Sequence, residues 1–119
     1  MRFLTSLNGT ALPVEITLNS NSDPLAVYAV SDDNNTPVNA IWYLAAEDGG
    51  TASQPGSLNQ SGCGIDPTDN AQVQKACVAI TGDHVTFYPS NPGLRSTGSR
   101  SRLVATANGQ TRSMLISIS

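Results

Sequence analysis

The chain has few charged side chains, few aromatic ones, only two cysteines and a single histidine. Charged residues make up 13% of its 119 residues and aromatic residues 5%, and the formal net charge is -3 at pH 7. This balance argues against a nucleic-acid partner, because phosphate binding needs a basic face. The low charge is unlike the surface of a typical cytosolic enzyme and favours a β-rich domain that faces the outside of a cell.

Long apolar runs and catalytic motifs are also missing. No stretch approaches the ~18–20 apolar residues that span a bilayer, so we expect no membrane-spanning segment. The sequence has no glycine loop for phosphate, no serine nucleophile elbow and no pair of catalytic carboxylates that can be placed. We therefore expect a protein that is not an enzyme and that uses no cofactor and no metal site.

What the chain does contain is period-two alternation of apolar and polar residues, separated by turns rich in Asn, Asp, Gly and Pro. The stretches VEITLN, PLAVYAV, NAIWYLA, HVTFYP, RLVATA and RSMLISIS each fit a half-buried strand. Asn108-Gly109 is typical of a type I′ turn that joins two strands into a hairpin. The run RSMLISIS is a candidate edge strand, able to pair with a neighbour.

Short strands at this spacing predict one all-β domain over residues 1–119. A β-sandwich is the expected architecture, and a closed barrel is the alternative. Apolar residues that share one face of their strands are expected to form the core. The predicted core residues are Trp42, Leu44, Val85, Phe87, Leu103 and Ile116.

The two cysteines, Cys63 and Cys77, could form a metal site, a catalytic centre or a disulfide. A zinc site needs about four ligands, and the cysteines with His84 fall short of that unless carboxylates join. A catalytic cysteine needs a base, and His84 is expected to face outward at the start of a strand. A disulfide fits best, because an even count in a polar chain is typical of an oxidising compartment. We therefore predict a Cys63–Cys77 disulfide and an extracytoplasmic location, in the periplasm, at the cell surface or secreted.

The order of turns and strands from about residue 14 to residue 119 resembles bacterial immunoglobulin-like domains of the invasin and intimin group. The residues that match in kind are Asp33, Asn34, Pro37, Val38, Gly49, Gly50, Ala105, Thr106, Ala107, Asn108 and Gly109. Asn35 and Thr36 depart from the family pattern, which often has glycine there, and so does the Cys63–Cys77 segment. The resemblance implies an immunoglobulin-like β-sandwich of about seven or eight antiparallel strands.

Two functions are expected from these observations, and a third is kept open. The preferred one is a non-enzymatic structural or adhesive module of an extracytoplasmic bacterial protein. Such a module displays loops to a protein, cell-surface or glycan partner beside neighbouring modules of a longer chain. The alternative is an accessory module that binds carbohydrate or calcium, and the third is a small Cys-His hydrolase. Residues considered for these ligands are the tyrosines Tyr28, Tyr43 and Tyr88 for sugar and Asp66, Asp69 and Asn70 for calcium.

Overall fold

The computed structural model describes residues 1–19, 23–46, 57–58, 64–65, 74–75, 80–89 and 99–118. These residues form strands and turns and contain no helix, so none that could cross a membrane. The strands are β1 (Arg2–Leu4), β2 (Glu15–Leu18), β3 (Leu25–Val30), β4 (Ala40–Ala46), β5 (Ser57–Leu58), β6 (Gly64–Ile65), β7 (Gln74–Lys75), β8 (Ile80–Gly82), β9 (His84–Tyr88), β10 (Ser99–Ala107) and β11 (Gln110–Ile118).

Most of these strands belong to two sheets with a shared apolar core. The first sheet has four strands in the order β1-β3-β9-β5, and the second has five in the order β2-β11-β10-β4-β8. The short strands β6 and β7 form a separate pair. The chain is therefore all-β and built like a sandwich, as predicted.

One strand pair contradicts the expectation that all neighbours are antiparallel. β2 runs parallel to β11, with Glu15 opposite Leu115 and Leu18 opposite Ile118. The reason lies in the segment before β2, where residues 5–10 turn back so that Ala11 pairs with Leu4. The chain then reverses a second time before it enters the second sheet, and this leaves β2 alongside β11 in the same direction.

The core lies between the two sheets, and β3, β4, β9, β10 and β11 contribute residues to it at alternate positions. The six residues predicted for it, Trp42, Leu44, Val85, Phe87, Leu103 and Ile116, are all at most 1% exposed. Phe3 from β1 and Met114 from β11 lie in the same cluster. The indole Nε1 of Trp42 donates a hydrogen bond to the carbonyl oxygen of Gly82 at 2.8 Å, so its polar atom is satisfied.

The hairpin between β10 and β11 forms as the sequence predicts. Asn108 and Gly109 both have positive φ, 52° and 77°, which is the requirement of a type I′ turn, and Ala107 pairs with Gln110 across it. The expectation that RSMLISIS is an edge strand is wrong. β11 lies between β10 and β2, because the parallel pairing with β2 covers its second side.

Candidate functional site

One end of the sandwich brings together the chain start, the β3–β4 loop and the β10–β11 turn. We call this the loop end and define it as Met1, residues 31–37 and residues 107–110. β1 begins here because Arg2 pairs with Val30, the last residue of β3. The β10–β11 turn reaches the same place, since the amino group of Met1 lies 3.5 Å from Oε1 of Gln110.

The β3–β4 loop is held in shape by hydrogen bonds within it. The backbone N–H of Ser31 donates to the carbonyl oxygen of Thr36 at 2.9 Å. The side-chain oxygen Oδ1 of Asn34 accepts from the hydroxyl of Thr36 at 2.7 Å and from its backbone N–H at 3.2 Å, and the hydroxyl of Ser31 also donates to it. Asn and Ser in a turn commonly form such bonds to nearby backbone groups, and here these bonds connect the two ends of the loop.

Asn35 has a backbone conformation that is uncommon for a residue other than glycine. Its φ is 55°, in the left-handed region that glycine adopts freely and that most other residues avoid. Asparagine is among the non-glycine residues that enter this region most readily. The position therefore keeps the backbone shape that a glycine would give, with a different residue.

The amino group of Met1 forms an ion pair with Asp32 at the centre of the loop end. Its nitrogen lies 2.8 Å from Oδ2 of Asp32, while the side chain of Asp32 is 67% exposed. This hydrogen bond from the ammonium is the main cause that lowers the pKa of Asp32, and the positive charges of Met1, Arg2 and Arg112 lower it further, against a partial loss of solvation that raises it. Asp32 is therefore held in its charged form.

Two adjoining clefts open at this end and share three residues. The larger, about 430 Å³, lies between the β3–β4 loop and the β10–β11 turn, and its lining includes Asp33 and Asn108. The smaller, about 310 Å³, runs along the start of β11 and includes Thr111 and Arg112. The shared residues are Met1, Asp32 and Gln110. Both clefts are open to solvent, and the shared residues place an ammonium, a carboxylate and an amide where they meet.

A second polar group lies on the outer face of the first sheet. Nδ1 of His84 is 2.6 Å from Oδ1 of Asp83, and the imidazole stacks on the ring of Tyr28 with centroids 4.6 Å apart. The backbone of Asp83 also accepts a hydrogen bond from the N–H of Ala29, which fixes the start of β9 against β3. His84 thus faces outward, as the sequence predicts.

The residues considered for ligands are not brought into one place among the residues that the structure describes. Tyr28 and Tyr88 lie on the first sheet, whereas Tyr43 is on the second and is 36% exposed. Within the same described ranges, no group of three or more His, Cys, Asp or Glu side chains could hold a metal ion. The cysteines Cys63 and Cys77 and the calcium candidates Asp66, Asp69 and Asn70 lie outside the described residues.

The loop-end residues were not predicted from the sequence as a site. Asp32 and Asp33 are visible there only as an acidic pair in a turn, which is an ordinary place for aspartate. Nothing in the sequence connects Asp32 with Met1, 31 residues away, or with Gln110 and Arg112. The one usable signal is the Asn108-Gly109 turn, since it places Gln110 at the start of a strand.

Comparisons of the chain with protein-family models, with curated proteins and with solved structures found no match.

Proposed function

We propose that this chain is a non-enzymatic, immunoglobulin-like module of an extracytoplasmic bacterial protein, and that it makes contact through its loop end. The observation that carries this proposal is the loop end itself. A sandwich with a closed apolar core fixes the position of Met1, the β3–β4 loop and the β10–β11 turn, and hydrogen bonds within the loop hold its shape. A rigid frame that presents loops is a common basis for recognition.

The immunoglobulin-like assignment is supported by strand order. In that fold the first, second, fifth and fourth strands share one sheet, and the last, sixth and third share the other. The seven strands that correspond, in chain order, are β1, β3, β4, β5, β9, β10 and β11. Counted in this way, the sheet order β1-β3-β9-β5 fits the first sheet of that fold and β11-β10-β4 fits the second. β8 is a departure, because it pairs with β4 although it follows β5 in the chain.

The extracytoplasmic location rests on the predicted Cys63–Cys77 disulfide and on the low content of charged residues. A free thiol pair in the protein purified under oxidising conditions would remove the main support for this location.

A surface-retention experiment tests the contact role. The fluorescently labelled chain is applied to intact cells of several types, and the bound fraction is measured by flow cytometry. Asp33→Ala removes an exposed carboxylate from the loop end, and Glu15→Ala removes an exposed one from β2 and serves as the matched control. We expect weaker retention for Asp33→Ala alone. Equal retention of both variants, or a hydrolytic activity that Cys77→Ser abolishes without unfolding the chain, would overturn the proposal.

A ligand-binding accessory module is the second candidate function. The observation in its favour is the pair of adjoining clefts, whose shared residues carry an ammonium, a carboxylate and an amide. Several hydrogen-bonding groups around a cleft of this size suit a small polar ligand.

A further inference from the structure

Arg112 lies beside the loop end and lines the smaller cleft. It follows Gln110 on the inward face of β11, and its guanidinium carbon lies 5.7 Å from the centre of the Phe3 ring. Contact with the ring face stabilises the cation and holds its position. Its Nε atom is buried and has no hydrogen-bond partner among the described residues. The hydrogen-bonding capacity of this guanidinium is therefore not fully met by the described residues.

The charge around the smaller cleft is positive, although the whole chain has a net charge of -3. Met1 contributes an ammonium, which Asp32 neutralises at 2.8 Å. The guanidinium groups of Arg2 and Arg112 are both close enough to Asp32 to lower its pKa, and neither forms an ion pair with a carboxylate of the described residues. The Nε atom of Arg2 is also buried without a partner in the described ranges. Among the residues that line the cleft, the carboxylate of Asp32 therefore faces two cations, the ammonium of Met1 and the guanidinium of Arg112.

We propose that the smaller cleft binds an acidic sugar, with the carboxylate of the sugar paired to Arg112. A guanidinium presents two parallel N–H groups that match a carboxylate, and this geometry favours an anion of that shape. The hydroxyl groups of the sugar would donate to the free lone pairs of Asp32 and accept from the amide nitrogen of Gln110, whose Oε1 already accepts from Met1. This inference rests on the proposed contact role of the loop end.

The cleft suits an acidic sugar better than an acidic peptide because it presents hydrogen-bond donors and acceptors close together. Asp32 is a charged acceptor beside the cations, and it needs a ligand that donates hydrogen bonds within a few ångströms of its own carboxylate. Each sugar hydroxyl both donates and accepts. A glutamate side chain carries only acceptors, and the nearest donor in its peptide is a single backbone N–H group.

The test is a titration of the ¹⁵N-labelled full chain, followed through its backbone amide signals. The probes are glucuronate and N-acetylneuraminate as acidic sugars, glucose as the neutral control and an acetylated triglutamate peptide as the acidic peptide. We expect saturable shifts at Asp32, Gln110, Thr111 and Arg112 with at least one acidic sugar and none with glucose. Binding of the peptide as strong as that of the sugars, or no saturable shift with either sugar, would overturn the assignment.

Variants separate the role of Arg112 from general charge. Arg112→Lys keeps the charge but lacks the planar pair of donors, and we expect it to weaken binding about tenfold. Arg112→Gln should abolish binding, and Arg100→Gln, an exposed position on β10, should leave it unchanged. If Arg112→Gln fails to fold, Gln110→Ala decides the matter, since it removes a second proposed contact of the sugar, and undiminished binding would overturn the inference.

Failure of this test leaves the proposed function standing. Absence of sugar binding overturns the acidic-sugar site alone, because retention on cells is measured separately with Asp33→Ala and does not depend on which ligand Arg112 takes. If no sugar binds and Asp33→Ala is also retained on cells as well as Glu15→Ala, the loop end is not a contact surface.

Discussion

Phe3 packs against Trp42 across the two sheets, with ring centroids 5.3 Å apart and ring planes tilted by 31°. Both side chains are at most 2% exposed, so this aromatic contact joins β1 to the core. Tilted aromatic pairs at this separation stabilise somewhat beyond the area they bury.

Replacing Phe3 by alanine should therefore cost much of the stability of the domain. We expect Phe3→Ala to lower the free energy of unfolding by about 3–5 kcal/mol, because it leaves a cavity beside Trp42. Urea denaturation followed by tryptophan fluorescence measures the loss. Leu7→Ala, at a position that is 38% exposed, is the control and should stay within about 0.5–1 kcal/mol of the parent. A similar small loss for both variants would mean that β1 adds little to the fold.

The turn residues with positive φ give a second prediction. A Cβ atom at Gly109 would meet no atom within 4 Å, so the cost of Gly109→Ala comes from its φ of 77° alone. We expect a loss of about 1 kcal/mol. Asn35→Gly should change stability by less than about 0.5 kcal/mol, whereas Asn35→Ala should lose about 1 kcal/mol. The stability of all three variants is measured from the midpoint of urea unfolding, provided that the dependence on urea concentration is unchanged. Equal midpoints for the two Asn35 variants would contradict this account of the loop.

The ion pair between Met1 and Asp32 predicts a pH dependence on the acid side. Because the pKa of Asp32 is lowered in the folded chain, its contribution is fully present above the ordinary pKa of 3.8 and is lost as the pH falls through the lowered pKa. We expect Asp32→Asn to melt below the parent at neutral pH, with a gap that closes in acid. Melting curves from about pH 7 to about pH 2 measure this, with Glu15→Gln as the control. A gap that stays constant in acid would rule out the ion pair as its cause.

The Cys63–Cys77 disulfide is tested by intact mass with thiol labelling and by thermal melts before and after reduction. In the chain-entropy model a loop of about 15 residues gains about 3 kcal/mol from closure. We expect no label on the native oxidised protein and a lower melting temperature after reduction. Two labelled thiols and an unchanged melting temperature would favour the zinc or Cys-His alternatives for these residues.

The core was predictable from the sequence because period-two alternation is enough to select its residues. Trp42 and Leu44 fall on one face of their strand whatever lies beside it, and so do Val85 and Phe87. The Asn108-Gly109 turn was predictable for a local reason as well, since few residues adopt positive φ. Both predictions depend only on residues that are close to one another in the sequence.

The remaining features depend on which strands pair. β1 has three residues, too few to show alternation, and Phe3 is recognised as a core residue only once Arg2 is seen opposite Val30. The sequence of β11 is compatible with an edge strand, and only its pairing with β2 places it inside the sheet. The loop end follows from the same pairings, because contacts between residues far apart in sequence depend on register that no local pattern fixes.

The parallel pairing of β2 with β11 has a mechanical consequence. Tension that pulls the chain apart at the start of β2 and the end of β11 acts along both strands in opposite directions. The hydrogen bonds of that ladder lie across the strands, so they are loaded in shear and must yield together. An antiparallel pair pulled from its open end would instead unzip, with its hydrogen bonds breaking in sequence. The β2–β11 ladder therefore resists a force along its strands better than a hairpin pulled from its open end.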